Sequence, residues 1–198
     1  MVNIMKQDKI LNLFTIPVCS VYLQLNNNEI EKHCIDIRKK DKGRKISNSG
    51  GWQSNNLNNN IFDSLKKEIE NNGNKFANYI GLKTPLKISN IWININEYKD
   101  SNDSHTHPHA ILSGVYYVKT PKSCGDIQFT RPEMNVFHFD WNNNTIKEKT
   151  TYTSPKSIIE SKENNLLLFP SWLTHSVDLN LNKKEERISI SFNLINNY

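Results

Sequence analysis

No run of apolar residues in this chain reaches the roughly 20 needed to cross a bilayer. The most apolar stretch, "LNLFTIPVCSVYLQL" at 11–25, is interrupted by Asn12, Pro17 and Gln24. No secretory leader is recognisable either, so the expectation is a soluble cytoplasmic protein with no membrane partner. Cysteine is scarce: Cys19, Cys34 and Cys124 are the only three, and no two of them form a CxxC pair. An odd, unpatterned set argues against a disulfide framework and for a reducing compartment. Glycine and proline number 7 each, and neither an internal repeat nor a linker divides the chain. The net charge is +5, yet no basic helix or aromatic platform accompanies it. The scattered lysine doublets therefore read as a solvated surface rather than a nucleic-acid patch.

What the chain does have is enough apolar residue, 36% of 198, for one domain with a proper core. Asparagine runs at 26–28, 58–60 and 142–144 fall where turns are expected. Residues 11–25 are rich in β-branched and aromatic side chains and predict one or two strands around Pro17. The spacing of Ile30, Cys34 and Ile37 predicts a helix within 26–40. Residues 43–55 have loop composition but hold Trp52 beside two glycines. Ile61, Leu65 and Ile69 predict a second helix, broken at Asn72-Gly73, with a further turn around Phe76 and Tyr79. From residue 85 the pattern changes to short strands with turn residues between them: 86–98, 110–118, 125–131, 135–139, 150–154, 157–161, 165–170, 175–179 and 187–195. Many short strands at this spacing mean an antiparallel sandwich or barrel. The expected architecture is mainly β, a jelly-roll barrel over 85–198, with 1–84 as a strand and two helices supporting it in one domain.

Half of the six histidines sit in "HTHPH", as His105, His107 and His109. Residues two apart on a strand share a face, so His105 and His107 can both look into a barrel. Pro108 ends that alternation and leaves His109 outside. His175, in "FPSWLTH", enters a later strand. Two imidazoles from one strand and one from another suit Fe, Zn, Ni or Cu; surface histidines are the plain alternative. In "ERISISFN", Arg187, Ser189 and Ser191 share one face and Ile188, Ile190 and Phe192 the other. If the apolar face lies under the helices, Arg187 and Ser189 look into the barrel, where a guanidinium and a hydroxyl suit a carboxylate. The alternative is an edge arginine paired with Glu185 or Glu186.

With these residues in place, the chain resembles the 2-oxoglutarate/Fe(II)-dependent oxygenases of the double-stranded β-helix fold, within the prolyl-hydroxylase-like superfamily. The resemblance is to the family known from marine phages and bacteria. It is carried by "SNSGGWQS" (47–54), "HTHPHAILSGVYYVKTP" (105–121), "CGDIQFTRP" (124–132), "LLLFPSWLTHSV" (166–177) and "RISISFN" (187–193). The resemblance implies a dioxygenase that couples decarboxylation of 2-oxoglutarate, to succinate and CO2, with oxidation of a substrate C–H bond, consuming O2. It implies metal ligation by His105 and His175. It implies an anchor for the far carboxylate of 2-oxoglutarate at Arg187, with Ser189 as hydroxyl partner. Tyr117 and Asn94 are the further cofactor-pocket candidates; Trp52, Gln53 and Trp172 are candidates for the substrate rim. Hydroxylation of a protein or peptide side chain and a homodimer are compatible with the resemblance, and a phage-encoded protein would work in its host's cytoplasm. One departure stands out. The aspartate of the superfamily's HxD motif is His107 here, and neither Asp103 nor Asp178 has the HxD spacing. Either three histidines hold the metal, or two do and water takes the third place. A cupin-like Zn or Ni site with isomerase or hydrolase activity, and a non-catalytic binding module, are the competing readings.

Overall fold

The computed structural model describes residues 10–58, 60–133, 140–142 and 144–196. The expected strand at 135–139 lies outside them. The first elements are β1 (Cys19–Tyr22), α1 (Asn27–Arg38), β2 (Asn48–Ser49), β3 (Trp52–Gln53) and α2 (Asp63–Tyr79), the last preceded by a 3-10 turn. Eight strands follow: β4 (Leu86–Asn96), β5 (Ser101–His105), β6 (Leu112–Lys119), β7 (Ile127–Thr130), β8 (Lys156–Ile159), β9 (Asn165–Pro170), β10 (His175–Val177) and β11 (Arg187–Asn196). They form two antiparallel sheets, one in the order β1-β9-β6-β11-β4-β3 and the other β2-β5-β10-β7-β8. This is the double-stranded β-helix, mainly β with two helices.

The alternation in β11 decides where everything sits. Ile188, Ile190, Phe192 and Leu194 join Ile91, Ile93 and Ile95 of β4 in the core beneath Leu65, Ile69, Phe76 and Ala77 of α2. Full burial of each such side chain contributes about 1.5–3 kcal/mol. Since β4 and β11 pair residue for residue, Ser189 with Asn94 and Ser191 with Trp92, their polar positions are turned together toward the second sheet. A second, smaller core of Val115, Tyr117, Leu167, Phe169, Ile127 and Phe129 fills the space between the sheets.

α1 begins where Asn26 caps it, its Oδ1 accepting from the Glu29 N–H at 3.5 Å. The next residue ties the helix to the sheet, Asn27 Nδ2 donating to the Val118 carbonyl at 2.9 Å.

Two local expectations are corrected. α2 runs unbroken through Asn72-Gly73. Gly73 faces β11 so closely that a Cβ there would run into Leu194 Cδ1; the glycine admits a close helix–sheet contact instead of ending the helix. Residues 150–154 form a turn rather than a strand. Thr150 and Thr153 hydroxyls meet at 3.1 Å, and Thr150 Oγ1 accepts from Tyr152 N at 3.1 Å. These local bonds replace a strand ladder.

Candidate functional site

His105 ends β5 and is the direct Cα partner of His175 in β10. Each ring is oriented by its own chain: His105 Nδ1 lies 2.7 Å from the Asp103 carbonyl and His175 Nδ1 2.9 Å from the Leu173 carbonyl. A carbonyl only accepts, so Nδ1 carries a proton in both, and the neutral ring leaves its lone pair on Nε2. His107 lies beyond the strand end. Its backbone N–H donates to Ser171 O at 2.9 Å, and its ring packs near Trp92, centroids 5.8 Å apart. The three rings converge, each offering a ligand atom within 4.8 Å of the others. Phe169, centroid 4.7 Å from that of His175, closes the apolar side. Burial, with the neighbouring imidazoles, pulls His107 down to about 3 and His175 down to about 4. Both are neutral near pH 7, which is the form that ligates a metal. His109 is exposed, in a turn with φ 68°.

Arg187 opens β11 and is only 1% exposed. Its Nη1 donates to Cys124 O at 2.8 Å and Gly125 O at 3.1 Å. Among the described residues no carboxylate lies within ion-pair distance of it. The edge-pair alternative fails because Glu185 and Glu186 reach Lys119 instead, at 3.8 and 3.6 Å. Burial lowers the guanidinium's pKa from its ordinary value. Tyr117, buried nearby, has its phenol pushed up to about 12, chiefly by burial, so it stays a hydroxyl donor. Arg187, Ser189, Tyr117 and Asn94 line one cavity together with His105, His107 and His175. Tyr116 points the other way, its hydroxyl 2.6 Å from Asn27 Oδ1 under α1.

None of the three rim candidates lines this cavity. Trp52 packs on the helix-side core and donates from Nε1 to Asp41 O at 3.0 Å. It pairs with Ile95, which places it on the face turned away from the cavity. Gln53 pairs with Asn94 and is buried, but it is not on the cavity wall. Trp172 is 56% exposed in the turn between β9 and β10, also off the wall. The wall also includes Trp92, Asn102 and Ser191. Trp92 shares strand parity with Asn94, so the alternation argument reaches it; nothing in the sequence marked Asn102.

An imidazole trio whose ligand atoms converge, and on the same cavity a buried guanidinium with no carboxylate of the described residues in ion-pair distance, fit a divalent metal and a dicarboxylate ligand. The sequence comparison agrees. Residues 90–193, just over half of the chain, match the family described as "Putative 2OG-Fe(II) oxygenase". The chain belongs to this family of iron- and 2-oxoglutarate-dependent oxygenases, enzymes whose cofactors are Fe(II), 2-oxoglutarate and O2. No curated protein matches it. Among solved structures it is similar to a Pseudomonas putida prolyl-4-hydroxylase, with TM-score 0.61, 11% identity, and 94% of this chain and 96% of that one covered. HygX from Streptomyces hygroscopicus, with nickel and 2-oxoglutarate bound, gives TM-score 0.63 at 10% identity, covering 93% and 84%. The α-ketoglutarate-dependent epimerase SnoN of nogalamycin biosynthesis gives 0.67 at 12%, covering 91% and 77%. At such identities these likenesses establish the fold. Among the described residues no helix is long and apolar enough to cross a membrane.

Proposed function

We propose that the cavity is the active site of a 2-oxoglutarate-dependent hydroxylase in which His105, His107 and His175 hold Fe(II). Arg187 binds the far carboxylate of 2-oxoglutarate with help from Ser189 and Tyr117. When bound, iron with 2-oxoglutarate and O2 supplies the oxidising chemistry, with succinate and CO2 as the cosubstrate's products. The protein's own residues do the rest. The carbonyls of Asp103 and Leu173 fix two imidazoles before the metal arrives, which lowers the ordering cost of binding. The Cys124 and Gly125 carbonyls hold one end of the guanidinium and leave its remaining N–H groups for an anion. Phe169 and Tyr117 exclude water along the apolar wall, which strengthens each polar contact inside.

The observation that carries this reading is Arg187: a buried cation with no carboxylate of the described residues in ion-pair distance, on the same cavity wall as three convergent imidazoles. A hydrolytic Zn or Ni centre has no use for that anion anchor. A protein or peptide side chain is the proposed substrate class, supported by the likeness in fold to a prolyl-4-hydroxylase; the fold alone does not fix a substrate. The test is anaerobic addition of Fe(II) and 2-oxoglutarate, followed by absorbance. A visible metal-to-ligand charge-transfer band, and succinate formation on admitting air, are expected. No band and no succinate would rule the reading out.

A further inference from the structure

Asn94 is 7% exposed and lines the cavity. Its Nδ2 donates to Ser191 Oγ at 3.0 Å, while its Oδ1 is buried and, among the described residues, has no hydrogen-bond partner. A buried amide oxygen without a donor destabilises the fold, and few such groups persist in folded proteins without a reason. Asn96, next but one along β4, also has a free Oδ1 but is not on the cavity wall. The position of Asn94 is central: it pairs with Ser189, two residues from Arg187 in β11, and lies two residues from Trp92, which packs against His107, in β4.

The missing partner must be a donor. Ionised 2-oxoglutarate offers acceptors alone, so it cannot satisfy Oδ1. The His105 and His175 rings donate their Nδ1–H groups to backbone carbonyls, and no other donor among the described residues, His107 included, is bonded to Oδ1. Among the residues lining the cavity Arg187 has the single fixed charge, and it is claimed by the cosubstrate. What remains is a neutral wall of hydroxyls and amides with one acceptor unfilled. We infer that Asn94 is a substrate-positioning residue, its Oδ1 receiving an N–H or O–H from an uncharged polar group of the primary substrate. This rests on reading the cavity as the oxygenase active site. Both an amide N–H and an alcohol O–H have the required chemistry.

The test uses protein loaded with Mn(II) and 2-oxoglutarate and follows paramagnetic relaxation of small probes, which reports occupancy beside the metal. Two matched pairs serve: N-methylacetamide against N,N-dimethylacetamide, and 2-propanol against 2-methoxypropane. In each pair only the first compound has a donor. One neutral hydrogen bond corresponds to a preference of about fivefold for the donor. That preference is expected in at least one pair, and the pair that shows it assigns amide or hydroxyl. In Asn94→Leu and in Asn94→Ala the preference should vanish, whereas Ser191→Ala, which leaves Oδ1 in place, should keep it. A merely structural role would weaken both members of a pair alike and leave their ratio unmoved. Equal binding within both pairs, a preference surviving in both Asn94 variants, or a loss of 2-oxoglutarate affinity larger than the loss of preference would each overturn the inference. A native protein that fails to bind 2-oxoglutarate at all is a different result, and it removes the proposed function instead.

Discussion

His105 and His175 stand opposite one another across β5 and β10 as direct Cα partners, ring centroids 4.4 Å apart. The same device orients both, a hydrogen bond from Nδ1 to the carbonyl two residues earlier in the chain. The acceptors are backbone, so the two free Nε2 atoms are built into the strands themselves. Changing an outer partner of a metal ligand typically costs 10–100-fold in affinity, and removing the ligand costs more. His105→Ala and His175→Ala should each weaken Fe(II) binding by more than about 100-fold in an anaerobic titration. His107→Ala should do the same if its ring ligates. If it leaves affinity within about tenfold, the metal has two protein ligands and water in the third place.

The same burial sets a pH dependence for the metal-free protein. His107 and His175 titrate at about 3 and about 4 when folded, against 6.5 when free. Above pH 6.5 both states are neutral, and folding gains nothing from these groups. As pH falls the unfolded chain takes up protons first, so stability drops through the window from 6.5 to about 3 and levels off below it. Each histidine should contribute roughly 2 kcal/mol of loss between pH 7 and pH 5. Urea melts of the apo protein at those two pH values measure it. In the double variant His107→Gln with His175→Gln that part of the slope should disappear; an unchanged slope would place the titration elsewhere.

Much of this arrangement was readable from strand parity. Arg187, Ser189 and Ser191 on one face of β11 and Ile188, Ile190 and Phe192 on the other needed only a period of 2 and knowledge of which face the helices cover. Pairing told more than position, however. Which side of its strand Trp52 occupies follows from its alignment with Ile95, a long-range register that no local pattern contains. Gly73 reads locally as a helix breaker, and only the approach of Leu194 explains why it is a helix residue. Thr150 to Thr153 have strand composition, but their hydroxyls find one another first. The convergence of His107 on the other two rings is also non-local: it depends on Ser171, far along the chain, accepting its N–H.

Gly125 joins the backbone to the anion anchor. Its φ is +87°, a Cβ there would collide with the Asp178 carbonyl oxygen, and it would lie 2.9 Å from Arg187 Nη1. Gly125→Ala should therefore destabilise the fold by about 1–3 kcal/mol and also displace the guanidinium. The two effects separate experimentally. Thermal melts report the first, and 2-oxoglutarate titration of the Fe(II) protein at a temperature well below the melt reports the second as a raised Kd. An unaltered Kd in the folded variant would show that Arg187 does not depend on this loop for its aim.

Arg187 gives the sharpest contrast between stability and function. A buried cation with no carboxylate in ion-pair distance is a burden on the fold, and replacing buried charge with an apolar side chain of similar volume is often neutral or stabilising. Arg187→Met should accordingly leave the melting temperature of the metal-free protein unchanged or higher. It should also weaken 2-oxoglutarate, because a charge-assisted hydrogen bond contributes about 1.5–3 kcal/mol, or roughly 10–100-fold in Kd. Arg187→Lys keeps the charge but not the planar fork, so its Kd should fall between those of native protein and Arg187→Met. The measurement is the charge-transfer titration for Kd beside a melt of the same preparation. A variant that melts lower and binds 2-oxoglutarate as the native protein does would make Arg187 a structural residue and leave the cosubstrate without its anchor.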